Sequence, residues 1–170
     1  MRQFVIDPEA IAAMEARCEL VRDLEDGWTR EYREPTTGTL WRARRVHAEQ
    51  HGGGLPYWAR LPIPDTPALL DLALHAPALD DRLVAAHLLS GEPETWAALV
   101  EGWEARHYEG EPTGWVAAAV RATGMLAATN WRSTLGKAPA EIDRDYAHFR
   151  ELAKRAAALV AQAETAASDA

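Results

Sequence analysis

The sequence predicts a mostly α-helical fold, an irregular stack of antiparallel helices with a small N-terminal β-hairpin. Apolar residues recur at helical spacing over most of the 170 residues, and one segment near the N-terminus instead alternates with the period of a strand. Proline and glycine divide the helical part into short helices joined by tight connections. A chain of this length can bury a sizeable core without disulfides, so we expect a single domain spanning residues 1–170.

The first helix is predicted over residues 8–25. Asp7-Pro8-Glu9 offers an N-cap oxygen, a proline at the first helical position and an acid in the first turn. Apolar side chains then recur at helical spacing: Ile11, Met14, Cys18, Val21 and Leu24. Gly27 is expected to end this helix.

Two non-helical segments follow. Residues 28–47 place strand-forming residues on both sides of the turn sequence Pro35-Thr36-Thr37-Gly38, which predicts a β-hairpin. Residues 52–67 combine a run of three glycines with four prolines. Because proline fixes φ and has no backbone N–H to donate, this second range is predicted to be a rigid extended loop.

Residues 68–160 are predicted to form the helical stack. The helix pair at 66–91 carries leucines on its first helix, Pro77 at the bend, and Asp81-Arg82 before an apolar run on its second helix. This pattern resembles a HEAT repeat, in which antiparallel pairs stack because one pair cannot bury its own apolar face. The resemblance implies HEAT-like packing, although later helices do not repeat it in register. The small polar residues at 162–170 predict a frayed tail.

Composition and charge exclude several classes of protein. A single cysteine, Cys18, excludes an internal disulfide framework and a multi-cysteine zinc site. The N-terminus turns acidic too early for a signal peptide, and charges interrupt every apolar run. We therefore expect a cytoplasmic protein that binds no membrane. The net charge of −8 argues against a nucleic-acid binder, which would need a basic face for phosphate contacts.

Acidic residues concentrate in the middle of the chain. Between residues 61 and 112 there are ten acidic residues and two basic ones. This segment is either a solvated face that keeps the protein soluble or a surface that attracts a basic partner. On the second interpretation, the candidate partner-binding residues are Asp80, Asp81, Glu92, Glu94, Glu101 and Glu104.

The sequence His47-Ala48-Glu49-Gln50-His51 raises the possibility of a metal site. On a helix the two histidines would share one face, but Glu49 would point away from them, unlike the general base of a metalloprotease. On a strand, His47, Glu49 and His51 would share a face and could hold a metal. No particular residue is marked as a fourth ligand.

The glycines behind this sequence, Gly52, Gly53 and Gly54, have two further interpretations. His51-Gly-Gly-Gly matches the oxyanion loop of some esterases, but no serine lies in the Gly-x-Ser-x-Gly elbow that such an enzyme needs. No Gly-Lys-Ser/Thr follows, so a phosphate-binding loop is excluded too. The remaining interpretation is a structural corner, in which glycine permits unusual backbone angles and His47 and His51 hydrogen-bond the loop.

Aromatic residues gather beside the arginines of the hairpin. Trp41, Tyr57 and Trp58 flank the histidine–glycine sequence, and aromatic residues mixed with arginine are typical of binding hot spots. Trp41 and Trp58 are therefore candidate partner-binding residues. The alternative interpretation is that they attach the hairpin to the helices as part of the core.

The stretch from Trp41 to Pro56 resembles segments of small bacterial immunity proteins from polymorphic-toxin systems. The similarity lies in Leu40-Trp41-Arg42, followed by Val-His-Ala-Glu-Gln-His and the corner Gly-Gly-Gly-Leu-Pro. It implies a non-catalytic protein that binds a cognate toxin and blocks it. An acidic groove facing a basic toxin domain would fit that role.

Three functions follow from these observations. The first hypothesis is a protein-binding module without a cofactor, an immunity protein that binds a toxin through the acidic helices at 79–111 or through the hairpin loop. The second is a metal-dependent hydrolase centred on His47, Glu49 and His51. The third is a structural helical module that self-associates through the apolar stripe containing Trp96 and Trp103.

Overall fold

The computed structural model describes residues 2–24, 28–46, 55–108 and 114–168. A five-stranded antiparallel sheet carries one helix on one face and a layer of helices against part of the other. The strands are β1 (Phe4–Val5), β2 (Glu19–Asp23), β3 (Arg30–Arg33), β4 (Leu40–Val46) and β5 (Leu55–Arg60). The helices are α1 (Pro8–Arg17), α2 (Thr66–His75), α3 (Leu79–Leu88), α4 (Trp96–Tyr108), α5 (Gly114–Thr123) and α6 (Pro139–Ser168).

The sheet shows that the predicted fold class is wrong. Its strand order is β1-β5-β4-β3-β2, with every neighbouring pair antiparallel. The hairpin predicted at 28–47 corresponds to β3 and β4, but these strands lie inside a larger sheet. The protein therefore combines a sheet with six described helices and is not a helical stack with a small hairpin.

The helix predicted over 8–25 ends at Arg17. Cys18 takes an extended conformation with φ −92° and ψ 147°, and the chain continues into β2, which pairs with β3. Leu20 and Val21 are 55% and 46% exposed. The apolar residues after Arg17 keep the spacing of a helix, but their side chains are exposed and do not extend the buried face of α1.

The loop predicted at 52–67 contains strand β5. Pro56 lies in this strand, opposite Arg45 of β4. The short strand β1 pairs with Trp58 and Ala59 of β5, so no strand among the described residues lies beside Pro56 on the other side of β5. A proline is tolerated there because that side of the strand needs no backbone donor.

Helix α1 covers one face of the sheet, which we call the α1 face. Ile11 and Met14 of α1 pack there against a small core of sheet residues: Val5, Tyr32, Trp41 and Trp58. The rings of Tyr32 and Trp58 stack with their centroids 4.4 Å apart. Strand alternation places the neighbouring residues Phe4, Tyr57 and Ala59 on the opposite face, where they join the main core.

The main core lies between strands β1 and β5 and the helical layer α2–α6. Helices α2 and α3 pair as the sequence predicts, but they also contact α4, α5 and the sheet. The prediction that the helix pairs stack one after another, as in a HEAT repeat, is therefore wrong. Helix α6 runs through residues 162–168, which were predicted to fray.

The apolar stripe of α4 is part of this core. Trp96 and Trp103 are 1% and 0% exposed. Trp96 contacts Trp131 and Phe149, and Trp103 contacts Trp115. Burial within the monomer overturns the hypothesis of self-association through this stripe. None of the helices in the described ranges has the length and apolar content needed to cross a membrane.

Candidate protein-interaction surface

Two of the predicted partner-binding carboxylates hold the fold together. Asp81 is 3% exposed, and its Oδ1 atom accepts hydrogen bonds from the backbone N–H groups of Gln3 at 2.9 Å and Phe4 at 2.7 Å. Asp80 accepts from the N–H of Ile6 at 3.2 Å and pairs with Arg2 at 3.5 Å. These carboxylates attach α3 to strand β1, so Asp81 does not lie on a binding surface.

Two more of these carboxylates form ion pairs on the helical layer. Glu94 accepts two hydrogen bonds from Arg132, at 2.6 and 2.5 Å. Glu104 accepts two from Arg155, at 3.0 and 2.6 Å. These bonds hold the pKa of each glutamate below its usual range. The remaining two, Glu92 and Glu101, are exposed, so the acidic segment does not present six carboxylates to a partner.

The predicted aromatic binding residues are buried. Trp41 is 8% exposed and Trp58 is 1% exposed, and both belong to the core under α1. The interpretation that they attach the hairpin to the rest of the fold agrees with this burial. His47, Glu49, His51 and the glycines 52–54 lie outside the described residues. Among the described residues, no group of three or more His, Cys, Asp or Glu side chains could hold a metal ion.

A groove of about 250 Å³ runs along one flank of α1. Ile11 and Glu15 of the helix line it, together with sheet residues that include the stacked pair Tyr32 and Trp58. Further lining residues come from the ends of strands and from the segment before β3: Trp28, Arg30, Ala43, Arg44, Arg45 and Pro56. Trp28 is 59% exposed. An exposed tryptophan beside arginines over an aromatic base is the composition of an interaction hot spot.

The sheet face opposite α1 is apolar and covered along β1 and β5, but charged along β2, β3 and β4. We call this charged part the arginine face. Strand register places four arginines and two glutamates on it: Arg22, Arg33, Arg42, Arg44, Glu19 and Glu31. Arg22, Arg33 and Arg44 are exposed. Arg44 also lines the groove, so the groove and the arginine face meet at this residue.

Glu31 organises the centre of the arginine face. Arg22 donates from Nε and Nη2 to its Oε2 atom at 3.2 and 2.6 Å, and Arg42 donates from the same two atoms to Oε1 at 3.1 and 2.8 Å. The hydrogen bonds from Arg22 and Arg42 hold the pKa of Glu31 below its usual range. Glu31 is 6% exposed, so the two guanidinium groups lie over a carboxylate that fixes their direction.

We expect the variant Glu31→Gln to lower the free energy of unfolding by about 1–2 kcal/mol at pH 7, because charged hydrogen bonds to a buried group are lost. The pKa of Glu31 is lower in the folded than in the unfolded state. Its carboxylate therefore stabilises the fold above the unfolded pKa of about 4.3, and this contribution is lost as the pH falls through the folded pKa. Urea unfolding between pH 7 and pH 2 should show a shallower decline for Glu31→Gln than for the wild type. Glu92→Gln is the matched control, and an equal change of slope in both variants would contradict the role given to Glu31.

A comparison with protein-family models gives a match in this part of the chain. Residues 11–61 match the family model of immunity protein 27. The match contains the whole stretch from Trp41 to Pro56, so the resemblance of that stretch to immunity proteins is confirmed. No curated protein and no solved structure gives a match.

The matched segment coincides with one part of the fold. It begins within α1, includes β2 to β5 and ends at Leu61, directly after the last strand. We call this part, residues 11–61, the sheet unit. It contains eight arginines and eight acidic residues, so the net charge of −8 belongs to the rest of the chain. The sheet unit holds the groove and the arginine face, whereas the predicted acidic residues all lie outside it.

Sequence reasoning did not identify Trp28 or the arginine face as a surface. The alternation Leu40-Trp41-Arg42-Ala43-Arg44 contained the signal, because alternate residues of a strand point to opposite faces. Trp41 and Ala43 lie under α1, which leaves Arg42 and Arg44 on the other face. The position of Arg22 depends on β2 being a strand, and that segment was predicted to be helical.

Proposed function

We propose that this protein is an immunity protein that neutralises a cognate toxin by binding it, without catalysing a reaction. The observation that carries the proposal is the match of residues 11–61 to the family model of immunity protein 27. The matched residues form a structural unit with an exposed groove, and such a unit can bind a protein surface without any reactive group. Inhibition would follow from covering the toxin's active surface.

We further propose that the toxin contacts the sheet unit through the groove beside α1. The groove combines an exposed indole, Trp28, with guanidinium groups and an aromatic base. Trp28 presents a large rigid surface that loses little conformational entropy on binding. By contrast, Glu94 and Glu104 of the helical layer are engaged by Arg132 and Arg155, so a partner would have to compete with internal ion pairs there.

The test screens the products of the genes that neighbour the gene of this protein for a toxin. Co-expression should restore growth of a bacterium that produces the toxin, and titration calorimetry of the purified proteins should show saturable binding. Trp28→Ala should weaken that binding at least about tenfold, as expected for a hot-spot tryptophan. Leu135→Ala, which trims a side chain that is 92% exposed in the loop between α5 and α6, is the control and should bind like the wild type.

The same experiment examines the acidic-surface hypothesis. The double variant Glu92→Lys/Glu101→Lys reverses two exposed carboxylates of the original six and leaves the ion pairs of Glu94 and Glu104 in place. Binding that survives Trp28→Ala but is lost in this double variant would replace the groove with an acidic site for a basic toxin. The toxin recovered from the complex should have an unchanged mass, because binding alone is proposed. A covalently altered toxin would refute the non-catalytic role, and absence of both binding and protection would refute the immunity role itself.

A further inference from the structure

We infer that the arginine face receives an acidic surface of the toxin, so that the partner is acidic where it meets this protein. The inference rests on the proposed function and specifies the chemistry of the partner. The acidic composition of the chain suggests a basic partner, whereas this inference predicts a partner that is acidic at the contact. Three features support it: the helices leave this part of the sheet uncovered, its net charge is positive, and Glu31 holds two of its arginines in place.

Coverage differs between the two halves of this sheet face. Along β1 and β5, Phe4, Tyr57 and Ala59 are buried against the helical layer, with exposures of 0–2%. Along β2 and β3, Arg22 and Arg33 are exposed on the same face. The helical layer therefore stops at about the position of Arg44, which lies opposite Tyr57 in the strand register. Three strands remain with a charged face that the described helices do not cover.

Charge on this face is opposite in sign to that of the whole protein. Four arginines lie there with two glutamates, Glu19 and Glu31, in a chain whose net charge is −8. A face that served only to contact solvent would not need a net positive charge in an acidic protein. An acidic partner would be repelled by most of this protein and attracted here, and such a field orients the encounter as well as strengthening the complex.

Orientation distinguishes these arginines from mobile surface charges. Glu31 binds the Nε and Nη2 atoms of both Arg22 and Arg42, which uses two of the five N–H donors of each guanidinium. The side chain of Arg42 is 31% exposed and that of Glu31 is 7% exposed, so the glutamate lies beneath the guanidinium groups. Carboxylates of a partner would meet guanidinium groups that are already positioned, which reduces the loss of side-chain entropy on binding.

The test measures the affinity of the protein, residues 1–170, for the toxin found in that screen, at 50 mM and 300 mM salt. Arg33→Glu reverses the charge of an exposed arginine that does not contact Glu31 in the hydrogen bonds described above. Arg44→Gln removes a charge while keeping a polar side chain opposite Tyr57. We expect each variant to bind at least about tenfold more weakly at 50 mM salt, with a smaller loss at 300 mM because salt screens exposed charges. Arg150→Glu and Arg150→Gln change an exposed arginine of α6 and are the matched controls, expected to bind within about twofold of the wild type.

The outcomes separate this inference from the proposed function. If the wild type binds the toxin and Arg33→Glu and Arg44→Gln bind as well as it does, the acidic contact is overturned while the immunity role stands. If the wild type does not bind the toxin, the immunity role fails, and titration with hexaglutamate, followed by the NMR signals of the arginine Nε–H groups, then decides the inference. Shifts confined to the arginine face would support an acidic ligand, and no shifts would overturn it. Two other results would overturn it in favour of a different occupant: self-association that Arg33→Glu abolishes, or tighter binding to a DNA oligonucleotide than to hexaglutamate.

Discussion

Replacing Trp58 by alanine is expected to lower the free energy of unfolding by about 3–5 kcal/mol, the usual effect of removing a fully buried large aromatic side chain. Trp58 is 1% exposed, stacks on Tyr32 and lies between Val5 and Ala43 in the strand register. Its removal leaves a cavity under α1, because the neighbouring strands hold the backbone in place. Chemical denaturation monitored by far-ultraviolet circular dichroism measures the effect.

This prediction separates a core role for Trp58 from the binding role that the sequence suggested. Trp58→Ala should lose toxin binding together with its folded structure, whereas Trp28→Ala should lose binding while its unfolding midpoint changes little. The exposed position of Trp28 is the reason for the difference. A Trp58→Ala variant as stable as the wild type, with reduced toxin affinity, would contradict the placement of this side chain in the core.

The second large effect is expected for Asp81→Ala. Its carboxylate accepts hydrogen bonds from the backbone N–H groups of Gln3 and Phe4. Its removal leaves the Phe4 donor without this acceptor in a buried environment and the Gln3 donor in a partly buried one. We expect a loss of about 3 kcal/mol in the free energy of unfolding, since each unsatisfied buried group costs on the order of 1–3 kcal/mol. Asp81→Asn retains one acceptor oxygen and should lose less.

Hydrogen exchange localises the effect of Asp81→Ala. The amides of Gln3 and Phe4 should exchange faster in the variant, because strand β1 is held to α3 by this carboxylate. Asp71→Ala, on the neighbouring helix α2, is a control for removal of an aspartate. Unchanged exchange at Gln3 and Phe4 in Asp81→Ala would show that other contacts hold β1.

The helical layer could be predicted from the sequence because its signals are local. Proline and apolar residues at helical spacing predict helices over residues 68–160, and α2 to α6 lie there, with α2 beginning at Thr66 and α6 continuing to Ser168. Helix α5 ends at Thr123. Gly124 follows with φ +74°, a left-handed conformation that favours glycine and ends a helix.

The sheet could not be predicted in the same way because its strands are stabilised by distant residues. Strand β1 has two residues and pairs with β5, more than fifty positions away. Strand β2 carries apolar residues at a spacing that also fits a helix, and pairing with β3 decides its conformation. Pairing with a neighbouring strand can override the conformation that a short segment would prefer by itself. The candidate site was missed for the same reason, since the arginine face exists only when β2, β3 and β4 lie side by side.

The most direct test of the binding surface is hydrogen–deuterium exchange of the protein alone and in complex with the toxin. The proposed complex predicts slower exchange in peptides from α1 and from β2 to β4, with peptides from α3 and α4 unchanged. Protection confined to residues 79–106, with no change in the sheet unit, would contradict the sheet-unit site and return the binding surface to the acidic helices.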